Sequence, residues 1–471
     1  MSSSSSVRVR FAPSPTGYLH IGSFRAALFN YLFARHHRGV YLLRIEDTDL
    51  ERSEDKYVAS IEESLRWARL LPDEKPLVQS TRQKEHKALI QQLLNEGKAY
   101  RCYCTQQEVV DRYQALHGSD NTFIKYDRAC MNLSQQLDKP FVVRFKLPDD
   151  IERVSFDDLI RGQVTVTRDQ LDDFIIARSD GSPMYNFVVV VDDAFMHITH
   201  VIRGDDHISN TPKQILLYRA LGYSLPAFAH IPLILGPEGN KLSKRDAATS
   251  VVEYIEAGYL PDAFTNYLAR LGWSHGDQEI FSRQELIDLF TLAHVGKKGA
   301  IFDQDKLDWI NGVYVRAMTA ADLYAYMQSH VCPDFADSLP LWDTQTLYRL
   351  IDLYKERVKT VKELCTVLRA LYHPPKDIDQ AEVAHWLSPD IVIQMKDLVK
   401  TLEGMSDFRV DLIKDTIKQF CKEHGLKLVN VAQPIRLALV GTTSSPGVFD
   451  LLVLVGQQES INRLRTLLAY I

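Results

Sequence analysis

The sequence predicts an α/β protein with a doubly wound parallel sheet, an α+β insertion and an all-helical C-terminal half. In residues 7–32, a short apolar strand leads through a Gly/Pro loop into a helix. Apolar runs also end repeatedly in acidic residues, as in residues 40–49 and 183–193. From Ser250 onward the apolar spacing becomes almost wholly helical. Because strands that alternate with helices form parallel sheets, we expect the sheet in the first half of the chain.

The opening loop has the features of an anion-binding turn. A β-type run at residues 7–11 is stopped by two prolines, and a helix with one apolar face begins near Gly22. Backbone N–H groups and the positive end of the helix dipole meet at such a turn. His20 and Thr16 are the side chains in the loop that can donate a hydrogen bond to phosphate. Considered alone, the loop is more typical of an ordinary strand–helix turn with a surface histidine, because short motifs match by chance.

The acidic residues after the second strand point to a ligand crevice. Residues 40–45 read as a strand that runs directly into Glu46 and the acidic residues behind it. The carboxyl end of a parallel strand lies at the sheet edge where ligands bind. We expect Glu46 to face the crevice, while its neighbours cap the helix predicted for residues 53–71.

Three further strands are predicted to complete the sheet. Residues 183–193 form a continuous apolar run that ends in two carboxylates, which is typical of a buried parallel strand. Residues 198–206 repeat this pattern, and a helix is predicted to begin near Thr211. Residues 228–235 form the last strand. The block between the two parts of the sheet has strand-like alternation at residues 141–146, 163–167 and 173–177 and reads as the α+β insertion.

The loop at residues 236–245 is rich in glycine and lysine and is predicted to be a lid. A solvated basic surface loop is the simpler interpretation. The neighbouring glycines favour a loop that closes and brings Lys241 and Lys244 onto a polyphosphate. Lysine suits that position because its compact charge can follow negative charge onto a leaving group.

Composition narrows the class of protein. The chain has 471 residues, 45% hydrophobic and 25% charged, with a formal net charge of −6. This charge argues against a protein that coats nucleic acid non-specifically, which needs a broad basic surface. The polar residues 1–6 do not resemble a signal peptide, and no apolar run is as long as a membrane span. We therefore expect a cytoplasmic protein whose six cysteines are reduced.

Five motifs stand in one order along the chain and resemble those of the class I aminoacyl-tRNA synthetases, specifically the bacterial glutamyl type. They occupy residues 11–17, 20–22, 44–49, 201–204 and 241–245, and the resemblance extends over nearly the whole chain after Ser6. The family's histidine motif ends in a second histidine, where this chain has Ser23; related glutamyl enzymes resemble the chain in that departure. Five ordered motifs are far more specific than one.

The resemblance implies a two-step reaction. Glutamate and ATP, accompanied by Mg²⁺, give glutamyl-adenylate and pyrophosphate, and the glutamyl group then moves to the 3′ end of tRNA-Glu. A monomer is expected. The implied domains are a Rossmann-like catalytic domain (residues 1–85 and 190–244), an α+β insertion for the tRNA acceptor end (86–189), a helical stem-contact domain (245–322), and two helical anticodon-binding subdomains (323–375 and 376–471).

The resemblance also implies which residues form the site. His20, Lys241 and Lys244 are expected to stabilise the charge that develops in the first step. The ATP site is expected to contain Thr16, His20, Gly22, Asp206, Ile234, Lys241, Ser243, Lys244 and Arg245. The glutamate site is expected to contain Arg10, Ala12, Ser14, Glu46, Tyr185 and Arg203. Arginine suits a carboxylate because its planar fork binds bidentately, which favours Arg203 for the side chain of glutamate. Glu46, helped by Tyr185, is the candidate for the ammonium group. For each charged residue, a structural ion pair is the alternative.

Other functions share some of these sequence features. A glutaminyl enzyme binds a neutral amide, and the resemblance implies that those enzymes lack arginine at position 203. A non-discriminating enzyme would also charge tRNA-Gln; Arg357, in a basic cluster, matches a position that reads the last anticodon base and favours discrimination. A non-catalytic tRNA-binding paralogue would not need every charged motif. A small-molecule nucleotidyltransferase would not need the helical half.

Cys102, Cys104 and Cys130 resemble a zinc site of some relatives. A structural zinc ion needs four ligands, and Asn132 stands where the relatives have a histidine. Tyr126 or His117 is available as the fourth ligand. We expect reduced cysteines rather than zinc.

Overall fold

The computed structural model describes residues 6–48, 52–117, 124–133, 137–240, 242, 250–335, 342–375, 378, 380–443, 445 and 447–469. The chain forms two compact units. The first comprises Met1–Glu253 and Phe264–Gln304, and the second comprises Tyr254–Ala263 and Asp305–Ile471. The finer domain boundaries expected from the sequence stay predictions.

The described strands are β1 (Arg8–Phe11), β2 (Val40–Ile45), β3 (Leu77–Val78), β4 (Ala99–Cys102), β5 (Val142–Phe145), β6 (Arg153–Asp158), β7 (Gly162–Thr167), β8 (Ile175–Ala177), β9 (His200–Gly204), β10 (Ala227–Ile231), β11 (Ile234–Leu235) and β12 (Ala300–Ile301).

The described helices of the first 303 residues are α1 (Ile21–His36), α2 (Asp55–Trp67), α3 (Gln83–Asn95), α4 (Gln106–His117), α5 (Tyr185–Phe195), α6 (Thr211–Leu221), α7 (Val251–Glu256), α8 (Pro261–Arg270) and α9 (Arg283–Leu289). Those that follow are α10 (Gln304–Ala317), α11 (Ala320–Tyr326), α12 (Thr344–Lys355), α13 (Val361–Tyr372), α14 (Gln380–Trp386), α15 (Pro389–Glu403), α16 (Val410–Glu423), α17 (Leu428–Val440), α18 (Val448–Val455) and α19 (Gln457–Ala469).

The parallel sheet predicted from the sequence is confirmed. Strands β1, β2 and β3 pair in parallel in that order, and β9, β10 and β6 form a second parallel set that β7 extends as an antiparallel hairpin. The two sets adjoin at β1 and β9, where the Thr199 amide donates to the Arg8 carbonyl at 2.9 Å. From this junction, β2 and β3 follow on the side of β1, and β10 follows on the side of β9. The junction is therefore the switch point where such sheets bind ligands.

Residues 183–193 were predicted as a strand, and this prediction was wrong. The segment forms α5 instead, and every side chain from Phe187 to Asp193 is buried. A helix enclosed on all sides has the same continuous apolar run as a buried strand, so periodicity cannot separate the two. Burial of this run outweighs the β preference of its valines.

Helix α1 was predicted correctly, but its single apolar face was not. The helix is buried on several sides, including at Phe29 and Asn30. Phe29 packs edge-on against Phe290 with ring centroids 5.1 Å apart, and the Asn30 amide donates to the Ile202 carbonyl at 2.9 Å. The helix therefore lies between the sheet and later helices, which fixes its N-terminus at the sheet edge.

The last predicted strand is divided, and the region after Ser250 is not wholly helical. Residues 228–235 form β10 and β11 on either side of Pro232, which cannot donate to a ladder. Strand β11 pairs in parallel with the short strand β12, at residues predicted to lie among helices.

The insertion has a small sheet of its own. Strands β4, β5 and β8 pair antiparallel in that order, as the predicted alternation at residues 141–146 and 173–177 requires. Residues 163–167 were also predicted as a strand; they lie in β7, which joins the main sheet through β6. Strand β6 was not predicted.

The second unit is helical in its described part. Helix α19 packs against α15 and α17, and the buried Arg463 guanidinium donates to the Leu371 and Leu439 carbonyls at 2.8 Å. This arginine therefore ties α19 to α13 and α17. No helix among the described residues has both the length and the apolar character that a membrane span requires.

Candidate active site

A cavity of about 460 Å³ opens at the carboxyl ends of β1 and β9. Its lining contains most of the predicted site residues that the structure describes: Arg10, Ala12, Ser14, His20, Gly22, Glu46, Tyr185, Arg203, Asp206 and Ile234. Thr16 is not part of the lining. Lys241, Ser243, Lys244 and Arg245 lie outside the described residues, although Leu242 lines the cavity. Arg25 and His207 line it as well and were not predicted.

His20 lies at the junction of the opening loop and α1. It is the N-cap residue, and its Nδ1 accepts a hydrogen bond from the Gly22 amide at 3.0 Å. Because Nδ1 is an acceptor, the ring proton of the neutral imidazole lies on Nε2. A Cβ atom on Gly22 would stand 3.3 Å from Nδ1, closer than most side-chain contacts. The local structure thus sets both the ring orientation and its tautomer.

Arg10, Arg44, Glu46 and Asp193 form a buried charge ladder. Arg44 donates to Glu46 at 2.9 Å, Arg44 and Asp193 are paired at 2.5 Å, and Arg10 donates to Asp193 at 2.9 Å. Burial raises the pKa of Glu46, although Arg44 opposes the shift. Burial works against the charge of Asp193 too, but Arg10 and Arg44 outweigh it and hold the Asp193 pKa below its usual range.

Arg203 at the end of β9 has one unsatisfied nitrogen. Its Nη2 donates to Thr211 Oγ1 at 2.9 Å, and its Nε donates to His230 Nε2 at 3.2 Å. Nη1 is buried without a hydrogen-bond partner among the described residues. Burial lowers the pKa of Arg203, because desolvation disfavours its charge. A buried guanidinium nitrogen without an acceptor is costly unless a ligand supplies one.

Tyr185 and His207 form a neutral pair beside Arg203. Tyr185 Oη lies 3.1 Å from His207 Nδ1. Burial raises the pKa of Tyr185 to about 12, and burial together with the Arg203 charge lowers the pKa of His207 to about 4. Both groups are therefore neutral near pH 7, and the direction of their hydrogen bond depends on the tautomer of His207. No sequence motif identified His207.

Arg25 of α1 is a buried lining residue that the apolar spacing of its helix concealed. Its guanidinium donates to the Pro232 and Leu271 carbonyls, which connects α1 with the segments after β10 and α8. Burial lowers the pKa of Arg25 to about 10. Its contacts to carbonyls give it a structural role at the cavity wall.

Arg203 differs from the two ladder arginines in its partners. Arg10 and Arg44 each pair with a carboxylate, whereas the described hydrogen bonds of Arg203 go to a threonine and a histidine. Its unsatisfied Nη1 is therefore suited to an anionic group of a ligand.

The three cysteines of the insertion converge. The Sγ atoms of Cys102, Cys104 and Cys130 all lie within 4.8 Å of one another. Tyr126 Oη is 3.2 Å from Cys102 Sγ and 3.8 Å from Cys104 Sγ. His117, the other candidate fourth ligand, is exposed and does not belong to this group.

The basic cluster of the second unit consists of Lys355, Arg357, Lys359 and Lys362. Arg357 is exposed directly after α12. Lys359 pairs with Asp308 at 3.1 Å, and Lys355 pairs with Asp352 at 2.8 Å. Ion pairs engage these two lysines, whereas Arg357 and Lys362 are exposed.

The chain is similar to known proteins along nearly its whole length. A family model described as tRNA synthetases class I (E and Q), catalytic domain, matches residues 6–309, and an anticodon binding domain model matches residues 322–468. The chain is 45% identical to the glutamate–tRNA ligase of Thermodesulfovibrio yellowstonii over 98% of both chains. It is 44% identical to that of Geobacter sulfurreducens over 99% of both. A crystal structure of a glutamate tRNA ligase from Elizabethkingia meningosepticum in complex with its amino acid superposes with a TM-score of 0.86, at 33% identity over 98% of this chain and 99% of that one.

Proposed function

The chain belongs to the class I tRNA synthetases of the glutamate and glutamine type, and from this premise we propose that it is a glutamate–tRNA ligase. It would activate L-glutamate with ATP and transfer the glutamyl group to the 3′ end of tRNA. The observation that carries the proposal is the unsatisfied Nη1 of Arg203 in the cavity.

Arg203 favours glutamate over glutamine. A side-chain carboxylate supplies Nη1 with a charged acceptor, whereas an amide leaves the positive charge unneutralised in a buried site. Glu46 of the ladder is the proposed partner for the substrate ammonium, and Tyr185 lines the same cavity.

A second group of lining residues is proposed for the nucleotide. In the first step the substrate α-carboxylate attacks the α-phosphorus of ATP, and pyrophosphate leaves. His20 Nε2 and the N-terminus of α1 would stabilise the developing phosphate charge. Gly22, Asp206 and Ile234 line the same cavity and are proposed ATP contacts.

The remaining ATP contacts are proposals from the sequence. Thr16, Lys241, Ser243, Lys244 and Arg245 would follow the triphosphate, and the two lysines would neutralise the leaving pyrophosphate. Mg²⁺ would accompany the ATP and reduce its negative charge.

The second step needs tRNA. We propose residues 86–189 for the acceptor end, residues 245–322 for the stem, and residues 323–375 and 376–471 for the anticodon. Arg357 would read the last anticodon base and restrict the enzyme to tRNA-Glu. We expect a cytoplasmic monomer, in keeping with the location of translation.

Glutamate-dependent ATP–pyrophosphate exchange, measured with and without tRNA, tests the proposal. Exchange with glutamate and charging of purified tRNA-Glu are the expected results. Exchange that requires glutamine would identify a glutaminyl enzyme, and tRNA binding without any exchange would identify a non-catalytic paralogue. Equal charging of tRNA-Glu and tRNA-Gln would refute the discriminating role of Arg357 alone.

A further inference from the structure

A buried hydrogen-bond chain, which we call the Asp–His relay, stands behind Arg203. Asp158 ends β6, His230 lies in β10, and Arg203 lies opposite His230 in the register of β9. Asp158 Oδ2 is 2.6 Å from His230 Nδ1, and His230 Nε2 is 3.2 Å from Arg203 Nε. Asp158 is 4% exposed and His230 is fully buried. Neither residue lines the cavity, and the two-step reaction leaves them without a role.

The hydrogen bonds of the relay fix one tautomer of His230. Arg203 Nε can only donate, so His230 Nε2 must be the acceptor. The ring proton consequently lies on Nδ1 and is donated to Asp158. Burial lowers the pKa of His230, which keeps the ring neutral near pH 7. A protonated ring could not accept from Arg203 and would place two positive charges side by side.

Thr211, at the start of α6, holds a second nitrogen of the Arg203 guanidinium. Its Oγ1 accepts from Arg203 Nη2 at 2.9 Å and lies 3.1 Å from His230 Nε2. Both Nε and Nη2 of Arg203 are thereby held within the protein. Nη1 is the nitrogen that the described residues leave to a ligand.

We propose that Asp158 and His230 are positioning residues for substrate selection, which act by holding the Arg203 fork so that Nη1 meets the side-chain carboxylate of glutamate. The inference rests on the proposed function. The tautomer of His230, which contacts Arg203 and not the substrate, would then influence the affinity for glutamate. Pre-organisation of this kind lowers the ordering cost of binding a charged partner.

Asp158→Asn is a sharp test because the protein dictates how the amide must turn. Asp158 Oδ1 accepts from the amides of Ile160 at 3.0 Å, Arg161 at 2.8 Å and His230 at 3.3 Å. The asparagine oxygen must stay at these donors, so its NH₂ group faces His230 Nδ1. The ring proton then moves to Nε2, where it opposes the Arg203 Nε–H group.

The expected result is a rise of about 10–100-fold in the KM for glutamate, since hydrogen bonds to charged groups have that effect when they are lost. The kcat and the KM for ATP should stay within about threefold of wild type, because neither Asp158 nor His230 has a described hydrogen bond to a proposed ATP residue. Asp173→Asn is the matched control. Asp173 is also buried and accepts from the Leu147 amide at 2.9 Å and the Tyr100 hydroxyl at 2.7 Å, away from the cavity. It should leave the KM for glutamate unchanged.

A second pair of variants keeps the test decisive if Asp158→Asn does not fold. Thr211→Val preserves the shape of threonine but removes the acceptor for Nη2, and should raise the KM for glutamate about fivefold. Thr211→Ser retains the hydroxyl and should remain within about twofold of wild type.

The outcomes separate this inference from the proposed function. Wild-type protein that cannot charge tRNA with glutamate would refute the function itself. Active wild type with an unchanged KM for glutamate in Asp158→Asn, or in Thr211→Val if the first variant is unfolded, would overturn the relay alone. A parallel rise in the KM for ATP would also overturn it, because that result indicates general damage to the fold.

Discussion

Arg203 shows how one residue acquires a function from its surroundings. Two of its guanidinium nitrogens are bound by Thr211 and His230, and the third is buried without a protein acceptor among the described residues. The sequence identified the arginine through its motif, whereas its orientation depends on two other strands and a helix. The energetic value of the residue therefore depends on the whole set of contacts.

Replacement of Arg203 by leucine should reduce kcat/KM for glutamate about 10–100-fold or more, because a charged hydrogen bond contributes about 1.5–3 kcal/mol. Arg203→Lys should fail similarly, since lysine lacks the planar fork. Glutamate-dependent pyrophosphate exchange measures the effect. Arg178→Leu removes an exposed arginine and serves as the control. Undiminished glutamate activation in Arg203→Leu would contradict the assigned role.

His207 should make folding stability depend on pH in a predictable direction. Burial and the Arg203 charge lower its pKa to about 4 in the folded protein, from about 6.5 in the unfolded chain. The unfolded state therefore binds more protons below about pH 6.5. The stabilising contribution is complete above that pH and is lost as the pH falls toward 4.

His207→Asn should flatten this pH dependence, because asparagine does not titrate but its amide can still form a hydrogen bond with Tyr185. Urea unfolding at pH 7.5 and pH 5 should show a smaller loss of unfolding free energy for the variant than for wild type. His117→Asn, which removes an exposed histidine outside the cavity, should follow the wild-type curve. The same loss of unfolding free energy between pH 7.5 and pH 5 in all three proteins would show that His207 does not cause this pH dependence.

At the scale of elements, the start of α1 combines two tasks in one side chain. Nδ1 of His20 caps the helix through the Gly22 amide, and the same bond directs the proton to Nε2. Under the proposed function, capping would use Nδ1 and phosphate stabilisation would use Nε2 of the same ring. The two tasks can therefore be separated by substitution.

His20→Asn should keep the cap, since asparagine is among the preferred N-cap residues, but lose the second ring nitrogen. Its unfolding free energy should remain near wild type while glutamate activation falls about 100-fold. His20→Ala should lose activity similarly and also about 1 kcal/mol of stability. Calorimetry or urea unfolding alongside pyrophosphate exchange measures both effects. An active His20→Asn enzyme would show that Nε2 has no part in activation.

The cysteine cluster makes the zinc alternative more favourable than the sequence did. Three sulfur atoms within 4.8 Å, with Tyr126 Oη beside them, provide four donor atoms for a tetrahedral ion. Metal analysis of protein purified without chelators should then find about one zinc per chain. Cys130→Ser should lower that content, and Cys421→Ser, outside the cluster, should not. Absence of zinc in wild type would favour the reduced cysteines expected from the sequence.

At the scale of the whole molecule, the two family matches correspond broadly to two compact units. The catalytic model covers residues 6–309 and the anticodon model residues 322–468. The units are not sequential, because Tyr254–Ala263 belongs to the second. Tyr259 within this segment donates to Asp308 at 2.6 Å. The catalytic model thus falls mainly in the first unit, and the anticodon model falls within the second.

Arg357→Gln should weaken the discrimination between tRNA-Glu and tRNA-Gln about tenfold, because a bidentate base contact contributes about 1–3 kcal/mol. Charging of both purified tRNAs with glutamate gives the ratio. Arg409→Gln is the control, since Arg409 is an exposed arginine of the same unit that pairs with Asp407 at 2.8 Å. An unchanged ratio in Arg357→Gln would exclude base reading by this residue.

The sequence by itself determined the fold class, the opening strand–loop–helix and the family, because these depend on local periodicity and on short motifs in a fixed order. It did not determine that residues 183–193 form a helix, since complete burial removes the periodicity that separates a helix from a strand.

Only the tertiary structure decided how the cavity is built. Arg25, His207 and the Asp158–His230 pair carry no local signal, because their roles arise from strands and helices distant in sequence. The charge ladder likewise joins Arg10 to Asp193, which are 183 residues apart. Hydrogen bonds and burial depend on proximity in space, which the order of residues alone does not reveal.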